Sequence, residues 1–198
     1  MAGPGRREVQ KRATRAALTA AARTMFAERG FDQTTVRDIA DAAQVTERTF
    51  FRYFASKDDL VHGELLDLLP ELSRAIVAQP SQSAPLIAVR DAVLGLAPGG
   101  PGFGLLFSGP PVFRRTRLTE SLRGMLFSFE AGIADAVHTR IAPSGATKFH
   151  AEVLARAAVA AMRSSLITYH LAGGPTTVPL TTLRSLVIEA FDILTVGR

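Results

Sequence analysis

Cysteine and tryptophan are absent from the 198-residue chain, and tyrosine occurs only twice. Without cysteine there is no disulfide, no thiolate zinc site and no cysteine nucleophile. Long apolar runs are missing too: the longest stretch without a charged residue, 92–113, contains six glycines and four prolines and cannot form one membrane-spanning helix. No apolar segment follows the basic N-terminus, so we expect no signal peptide, no membrane attachment and a cytoplasmic location.

Recognisable catalytic and cofactor-binding motifs are lacking as well. The histidines His62, His138, His150 and His170 show neither HExxH spacing nor close pairing with acids, so they are interpreted as surface or core residues. No GxSxG motif is present. The segment 98–109 is rich in glycine but has no phosphate-loop lysine and no GxGxxG motif. We therefore expect no enzyme activity, no cofactor and no metal site.

Positive charge is in excess, with a formal net charge of +5. Such a balance gives modest support to a polyanionic partner. The charge is concentrated in residues 1–15, where five cations oppose one acid. A basic tail of this kind is either solvated and disordered or an arm that contacts DNA phosphates or the minor groove. The segment that follows favours the arm.

Apolar residues at helical spacing predict a first helix over residues 8–29, with Gly30 as its C-terminal cap. The apolar stripe of this helix comprises Val9, Ala13, Ala17, Leu18, Ala21, Ala22, Met25 and Phe26. A second helix follows Thr34 or Thr35, since either hydroxyl can accept from its first N–H groups. The buried face of the second helix comprises Val36, Ile39, Ala40 and Ala43.

A turn at Gln44 leads to a third helix, which Thr46 caps and which extends from Glu47 to Phe54. Phe50 and Phe54 are four residues apart, so they share a face and are expected in the core. Two further aromatic residues on this helix point elsewhere, which is unusual for a solvated surface. Two short helices joined by a tight turn therefore predict a helix-turn-helix unit, with the third helix as the recognition helix.

The recognition helix supplies most of the predicted DNA contacts. The residues expected to meet base edges are Thr46, Glu47, Arg48 and Thr49. Arg48 can donate two hydrogen bonds to guanine O6 and N7, which is worth about 1–3 kcal/mol of discrimination. Phe51 is placed against sugars and thymine methyl groups. Tyr53 and Lys57 are placed on phosphates.

The order of these features, a basic arm, Gly-Phe, Thr-Thr-Val-Arg-Asp-Ile-Ala, Val-Thr, Thr-Phe-Phe-Arg-Tyr-Phe and Ser-Lys, resembles the DNA-binding domain of the TetR family of one-component repressors. The resemblance covers residues 6–61. It implies that Thr35 and Arg37 contact the DNA backbone or nearby bases. Two departures stand out: Phe51 replaces a common tyrosine and loses a phosphate contact, and Gln44 replaces a common glycine in the turn.

The resemblance also implies an all-α fold. Residues 1–61 form the arm and a three-helix DNA-binding domain, and residues 62–198 form a helical ligand-binding and dimerisation domain. Helical spacing predicts a linking helix to about residue 79, which Pro70 kinks or splits, and further helices over 86–96, 112–141, 148–172 and 180–196.

The two C-terminal helices have wide apolar faces. These faces either pack within the chain or, as the resemblance implies, form a four-helix interface in a homodimer. A dimer places its recognition helices about 34–36 Å apart on a near-palindromic operator in double-stranded DNA.

The ligand site is less sharply defined by the sequence. The segment 98–109 is either a loop over the core or a wall of a pocket. The cations at the start of the long helix oppose the helix dipole, so they are expected to face solvent, an anionic ligand or DNA. The C-terminal half more loosely resembles acyl-CoA-like sensors of the family. The candidate ligand-binding residues are Phe103, Phe107, Arg114, Arg115, Arg117, Met125, Phe129 and Met162.

We therefore predict a ligand-responsive transcriptional regulator. The favoured form is a repressor that a small hydrophobic or acyl-CoA-like effector releases from its operator. A DNA-binding regulator without a small-molecule ligand, and one that its ligand activates, are the alternatives.

Overall fold

The computed structural model describes residues 5–96, 120–174 and 177–197. Within these ranges the chain is helical and contains no strand, which confirms the predicted all-α fold. The helices are α1 (Arg6–Arg29), α2 (Val36–Ala42), α3 (Glu47–Tyr53), α4 (Lys57–Ala78), α5 (Pro85–Gly95), α6 (Glu120–Ile141), α7 (Lys148–Leu171) and α8 (Leu180–Val196). A 3₁₀ turn, Ala142–Ser144, follows α6.

All the buried side chains of α1 lie in its C-terminal half. The buried residues are Leu18, Ala22 and Phe26, spaced four apart on one face. Val9, predicted to belong to the same stripe, is 52% exposed, so that part of the prediction is wrong. Neighbouring helices bury side chains of α1 only from Leu18 onward. The basic residues from Arg6 onward are helical, not part of an extended arm.

Threonine caps fix the starts of α2 and α3. Thr35 caps α2: its hydroxyl accepts from the Asp38 N–H, and the Asp38 carboxylate accepts from the Thr35 N–H. Thr34 is fully buried and donates its hydroxyl to the Gly30 carbonyl at 2.8 Å. Thr46 caps α3, as predicted. The Thr35 and Thr46 hydroxyls satisfy N–H groups that a helix start otherwise leaves unpaired.

Gln44, in the turn between α2 and α3, has a φ of +56°. This left-handed conformation is costly for residues with a Cβ atom and easy for glycine. The departure from glycine noted in the sequence therefore places a strained residue in the turn.

The helix α4 connects the two predicted domains without a break. It continues through Pro70, so the predicted split does not occur, although Pro70 has no N–H to donate to the preceding turn. The predicted domain boundary at residue 61 lies inside α4.

In the second domain, α6 packs between α4 and α7, α8 packs on α7, and α5 contacts α4 and α8. The crossing of α4 and α6 is close at Gly132, where an added Cβ would lie 2.5 Å from a Leu69 side-chain carbon. Of the described helices, none is both long and apolar enough to cross a membrane.

Arg140 on α6 holds the C-terminal end of α4. Its guanidinium donates to the backbone carbonyls of Ile76, Val77, Gln79, Pro80 and Ser83. The shortest of these bonds measure 2.6 Å to Gln79 and 2.7 Å to Pro80. Since the last carbonyls of a helix lack partners within it, a cation here is favoured both by hydrogen bonding and by the helix dipole.

Candidate DNA-binding surface and effector cavity

Two buried aromatic residues anchor the recognition helix α3 in the core. Phe50 and Phe54 are buried, with 0% and 4% exposure, which confirms their predicted place in the core. Their ring centroids lie 5.7 Å apart. Phe51 is 53% exposed on the other side and makes an edge-on contact with Phe50 at 5.4 Å. Tyr53 is partly buried against the core, so α3 is a rigid support for its outward residues.

The outward residues at the start of α3 differ in how much they are already bonded. The Thr46 hydroxyl accepts from the Thr49 N–H at 3.1 Å, and the two threonine hydroxyls lie 3.0 Å apart. Both threonines are therefore engaged in the cap. Glu47 and Arg48 are exposed. Arg48 makes no hydrogen bond or ion pair with any described residue.

On α2, Thr35 and Arg37 are both exposed. Arg37 lies 3.8 Å from the Asp41 carboxylate in an exposed ion pair. Pairs of this kind contribute little to stability, so the guanidinium can exchange this partner for a phosphate. The hydroxyl of Thr35 is used in the capping box.

A basic hollow lies between the start of α1 and the end of α3. It has a volume of about 380 Å³ and is lined by Glu8, Lys11, Arg12, Arg15, Arg52 and Tyr53. The Arg52 guanidinium lies over the Tyr53 ring at 5.2 Å, and that of Arg15 over the Phe54 ring at 5.1 Å. Sequence reasoning did not single out Arg52, although a cation on the exposed face of a recognition helix was a signal for it.

Lys57 takes part in an internal contact that the sequence did not predict. Its ammonium donates to the carbonyls of Phe31 at 2.6 Å and Thr34 at 2.8 Å, and lies 4.0 Å from the centroid of the Phe31 ring. Burial lowers the pKa of Lys57, while Asp32 and Asp58 oppose this effect. Lys57 thereby ties α4 to the loop between α1 and α2. Its contact with a phosphate stays a prediction.

An apolar cavity lies in the second domain between α4, α5, α6 and α7. Its volume is about 70 Å³. The lining residues are Leu65, Leu68, Leu72, Val93, Leu96, Met125, Leu126, Phe129, Val159, Met162, Arg163 and Leu166. Three predicted ligand-binding residues are therefore brought together here: Met125, Phe129 and Met162. The other five, Phe103, Phe107, Arg114, Arg115 and Arg117, lie outside the described residues.

The first three helices, with a capped recognition helix and exposed cations around it, define a helix-turn-helix DNA-binding domain. Residues 18–63 match the family model of bacterial regulatory proteins, tetR family. The match covers the helix-turn-helix region that the sequence motifs indicated. The named relatives of the chain are transcriptional regulators, in agreement with the prediction that the chain is not an enzyme.

Among curated relatives, the transcriptional regulator TcmR of Streptomyces glaucescens is 34% identical over 130 residues, which are 64% of this chain and 57% of TcmR. The transcriptional repressor KstR2 of Mycolicibacterium smegmatis is 48% identical over 48 residues, which are 24% of this chain and 23% of KstR2. The chain thus spans little more than half the length of TcmR and less than a quarter of the length of KstR2.

Solved structures confirm the fold over nearly the whole chain. Thermus thermophilus FadR, a TetR-family transcriptional repressor in complex with lauroyl-CoA, matches with a TM-score of 0.65 and 22% identity, over 91% of this chain and 93% of that protein. Bacillus subtilis FadR in complex with stearoyl-CoA matches with a TM-score of 0.56 and 16% identity, over 92% and 98% of the two chains. At these identities the likeness concerns the fold alone.

Proposed function

We propose that this protein is a DNA-binding transcriptional repressor that reads its operator with α3. The proposal rests on the position of Arg48. This exposed arginine lies at the start of a recognition helix that is anchored in the core, and it has no partner among the described residues. The first residues of such a helix meet base edges in the major groove. An unpaired guanidinium there can donate two hydrogen bonds to one guanine.

The basic hollow supports the same proposal, because its side chains can contact DNA phosphates. Lys11, Arg12 and Arg52, from two helices, line one concave site together with Tyr53. Phosphate contacts from such groups fix the orientation of a protein on the duplex without reading its sequence. Because residues 6–15 are helical, we assign them to the DNA backbone and not to the minor groove.

A homodimer is the proposed binding unit. Large apolar side chains on α7 and α8 remain exposed in the single chain: Phe149, Val153, Leu171, Leu180, Ile193, Leu194 and Val196. A second copy packed on these helices would cover part of this surface in a four-helix arrangement. Two recognition helices about 34–36 Å apart would then meet a near-palindromic operator. We place this regulator in the cytoplasm, with the DNA.

The apolar cavity is the proposed effector site. Its volume of about 70 Å³ equals that of roughly two water molecules at about 30 Å³ each. A larger effector must therefore displace lining side chains, and the flexible Met125 and Met162 can adapt to it. The two FadR proteins that share the fold were solved in complex with lauroyl-CoA and stearoyl-CoA. We propose a small hydrophobic or acyl-CoA-like effector here.

The helix α4 is placed to transmit effector binding to the DNA-binding domain. Leu65, Leu68 and Leu72 line the cavity, and Lys57 at its start is bonded to the α1–α2 loop. An effector that pushes on these leucines would shift α4 and change the separation of the two recognition helices. A coupling free energy of about 1–3 kcal/mol would change operator affinity roughly 5–150-fold.

The test is fluorescence anisotropy with DNA from upstream of the gene, at fixed salt, against a scrambled duplex of the same length. We expect specific binding by the wild type. Arg48→Ala should weaken it about 5–150-fold, the equivalent of about 1–3 kcal/mol. Arg156→Ala, which removes an exposed arginine from α7, is the matched control and should bind as the wild type does.

Equal affinity for both duplexes would contradict operator recognition at this DNA, and unchanged binding by Arg48→Ala would contradict the role of Arg48. Lauroyl-CoA is then added to the specific complex. Release of the DNA supports a repressor with an acyl-CoA-like effector. Tighter binding supports the alternative of a ligand-activated regulator, and no change contradicts this effector class.

A further inference from the structure

The cations of the second domain are used for internal contacts, with one exception. The described residues of this part of the chain, 62–96, 120–174 and 177–197, include eight lysines and arginines. Seven of them engage a partner: Arg74, Arg90, Arg123, Arg140, Lys148, Arg156 and Arg184. Arg163 makes no hydrogen bond, ion pair or ring contact with a described residue.

Arg163 is also the single charged residue that lines the described apolar cavity. The other eleven lining residues are aliphatic, methionine or phenylalanine. Arg163 lies on α7 next to Met162 and one helical turn from Val159 and Leu166. Several wall residues are almost completely buried, among them Leu72 at 1% and Met125 at 4%. The site thus combines an apolar interior with one cation at its border.

A guanidinium at the border of an apolar cavity favours a ligand that carries an anionic oxygen group. A guanidinium has five N–H donors and no acceptor, and its geometry matches two oxygens of a carboxylate or phosphate. Arg163 is exposed, so an anionic group can reach it from solvent while the apolar part of the same molecule enters the cavity. In the first domain, Arg6, Arg7, Lys11 and Arg48 likewise lack partners among the described residues, and they lie on the surface that we propose to contact DNA.

We propose that the cavity binds an apolar molecule that carries an anionic group, and that Arg163 pairs with that group. The inference rests on the proposed function, because it names the chemical class of the effector of the same cavity. The shared chemistry is an apolar body with an anionic oxygen group, which is found both in a free fatty acid and in an acyl-CoA.

Octanoate and octan-1-ol are suitable probes, since they share a chain length and differ in charge. Isothermal titration calorimetry with the full chain should show octanoate binding at least about tenfold more tightly than octan-1-ol. Arg163→Gln should weaken octanoate binding about tenfold, equivalent to about 1.4 kcal/mol, and leave octan-1-ol binding unchanged. Arg156→Gln, which removes another arginine of α7 that does not line the cavity, should leave both affinities unchanged.

A third probe, octanoyl-CoA, separates the two sources of the anion. If Arg163→Gln weakens octanoate alone, the anion is a free carboxylate; if it also weakens octanoyl-CoA, a phosphate can take the same place. Equal binding of octanoate and octan-1-ol, unchanged octanoate binding by Arg163→Gln, or no binding of either probe would overturn the proposal. Operator binding is measured on the same wild-type preparation without probes, so failure of the DNA-binding proposal is seen independently.

Discussion

The start of the recognition helix and the helix contacts of the second domain differ in how their arginines are bonded. In the DNA-binding domain, Arg48 is exposed and has no partner among the described residues, and Arg37 has only a loose one. In the second domain, Arg140 is surrounded by five backbone carbonyls, and Arg90 joins α5 to Asp192 of α8 at 3.2 Å. The difference teaches that Arg140 and Arg90 join elements of the second domain through internal bonds, whereas Arg48 leaves its donors free at the surface where we expect DNA.

The largest effect on stability is expected from Arg140→Ala. The substitution removes hydrogen bonds from a charged donor to the end of α4, and a bond to a charged group is worth about 1.5–3 kcal/mol. We expect a loss of about 2–3 kcal/mol in the free energy of unfolding, because water can replace part of what is lost. Urea denaturation followed by circular dichroism measures it.

Arg74→Ala is the matched control for that experiment. Arg74 is an exposed arginine of α4 that donates to the Pro70 carbonyl of its own helix. Its removal should change the free energy of unfolding by less than about 0.5 kcal/mol. Equal losses in the two variants would refute the distinction between a structural arginine and a surface arginine.

The basic hollow should affect the salt dependence of DNA binding and not its sequence preference. Each phosphate contact contributes about 0.9 to the slope of log K against log salt concentration. The double substitution Lys11→Ala with Arg12→Ala should therefore reduce the slope by about 1.8, on operator and on scrambled DNA alike. The control Lys148→Ala with Arg156→Ala removes the same charge from the second domain. A similar change of slope in the control would show a general charge effect.

The strained turn residue offers a smaller test in the first domain. Gln44→Gly should raise the free energy of unfolding by about 0.5–1 kcal/mol, since glycine adopts a φ of +56° without the cost of a Cβ atom. Gln44→Ala removes the same side chain but keeps the Cβ atom, so it should have almost no effect. Equal stabilities of the two variants would show that φ at this position is not a source of strain.

The smallest expected effect concerns pH and His62 at the start of α4. Burial lowers the pKa of His62, against the opposing influence of the Asp59 and Asp58 carboxylates. The unfolded chain therefore binds a proton more readily than the folded protein below about pH 6.5, and stability falls as pH decreases through this range. His62→Gln should make the melting temperature less dependent on pH between 7.5 and 5.5. An unchanged dependence would exclude His62 as its source.

Local features of the fold were accessible to sequence reasoning. The caps at Thr35 and Thr46, the end of α1 at Gly30 and the bounds of α8 follow from short-range patterns that each segment satisfies by itself. The core positions of Phe50 and Phe54 follow from their four-residue spacing on a helix.

Contacts between distant segments could not be predicted in this way. Lys57 bonds to carbonyls 23 and 26 residues away, and Arg140 to carbonyls 57 to 64 residues away. Nothing in the neighbourhood of either residue indicates these partners. For the same reason the sequence could not identify Arg163 as a neighbour of Met125 and Leu72, because α4, α6 and α7 meet only after folding.

The attachment of α4 at both ends has a mechanical consequence. With 22 residues at about 1.5 Å of rise each, the helix is a lever arm of roughly 33 Å. A tilt of about 5° about the end that Arg140 holds would carry the Lys57 end through about 3 Å. That displacement is close to the spacing of about 3.4 Å between successive phosphates along one DNA strand, measured parallel to the axis. A small tilt of α4 is therefore enough to move the attached recognition helix by about the rise of one base-pair step.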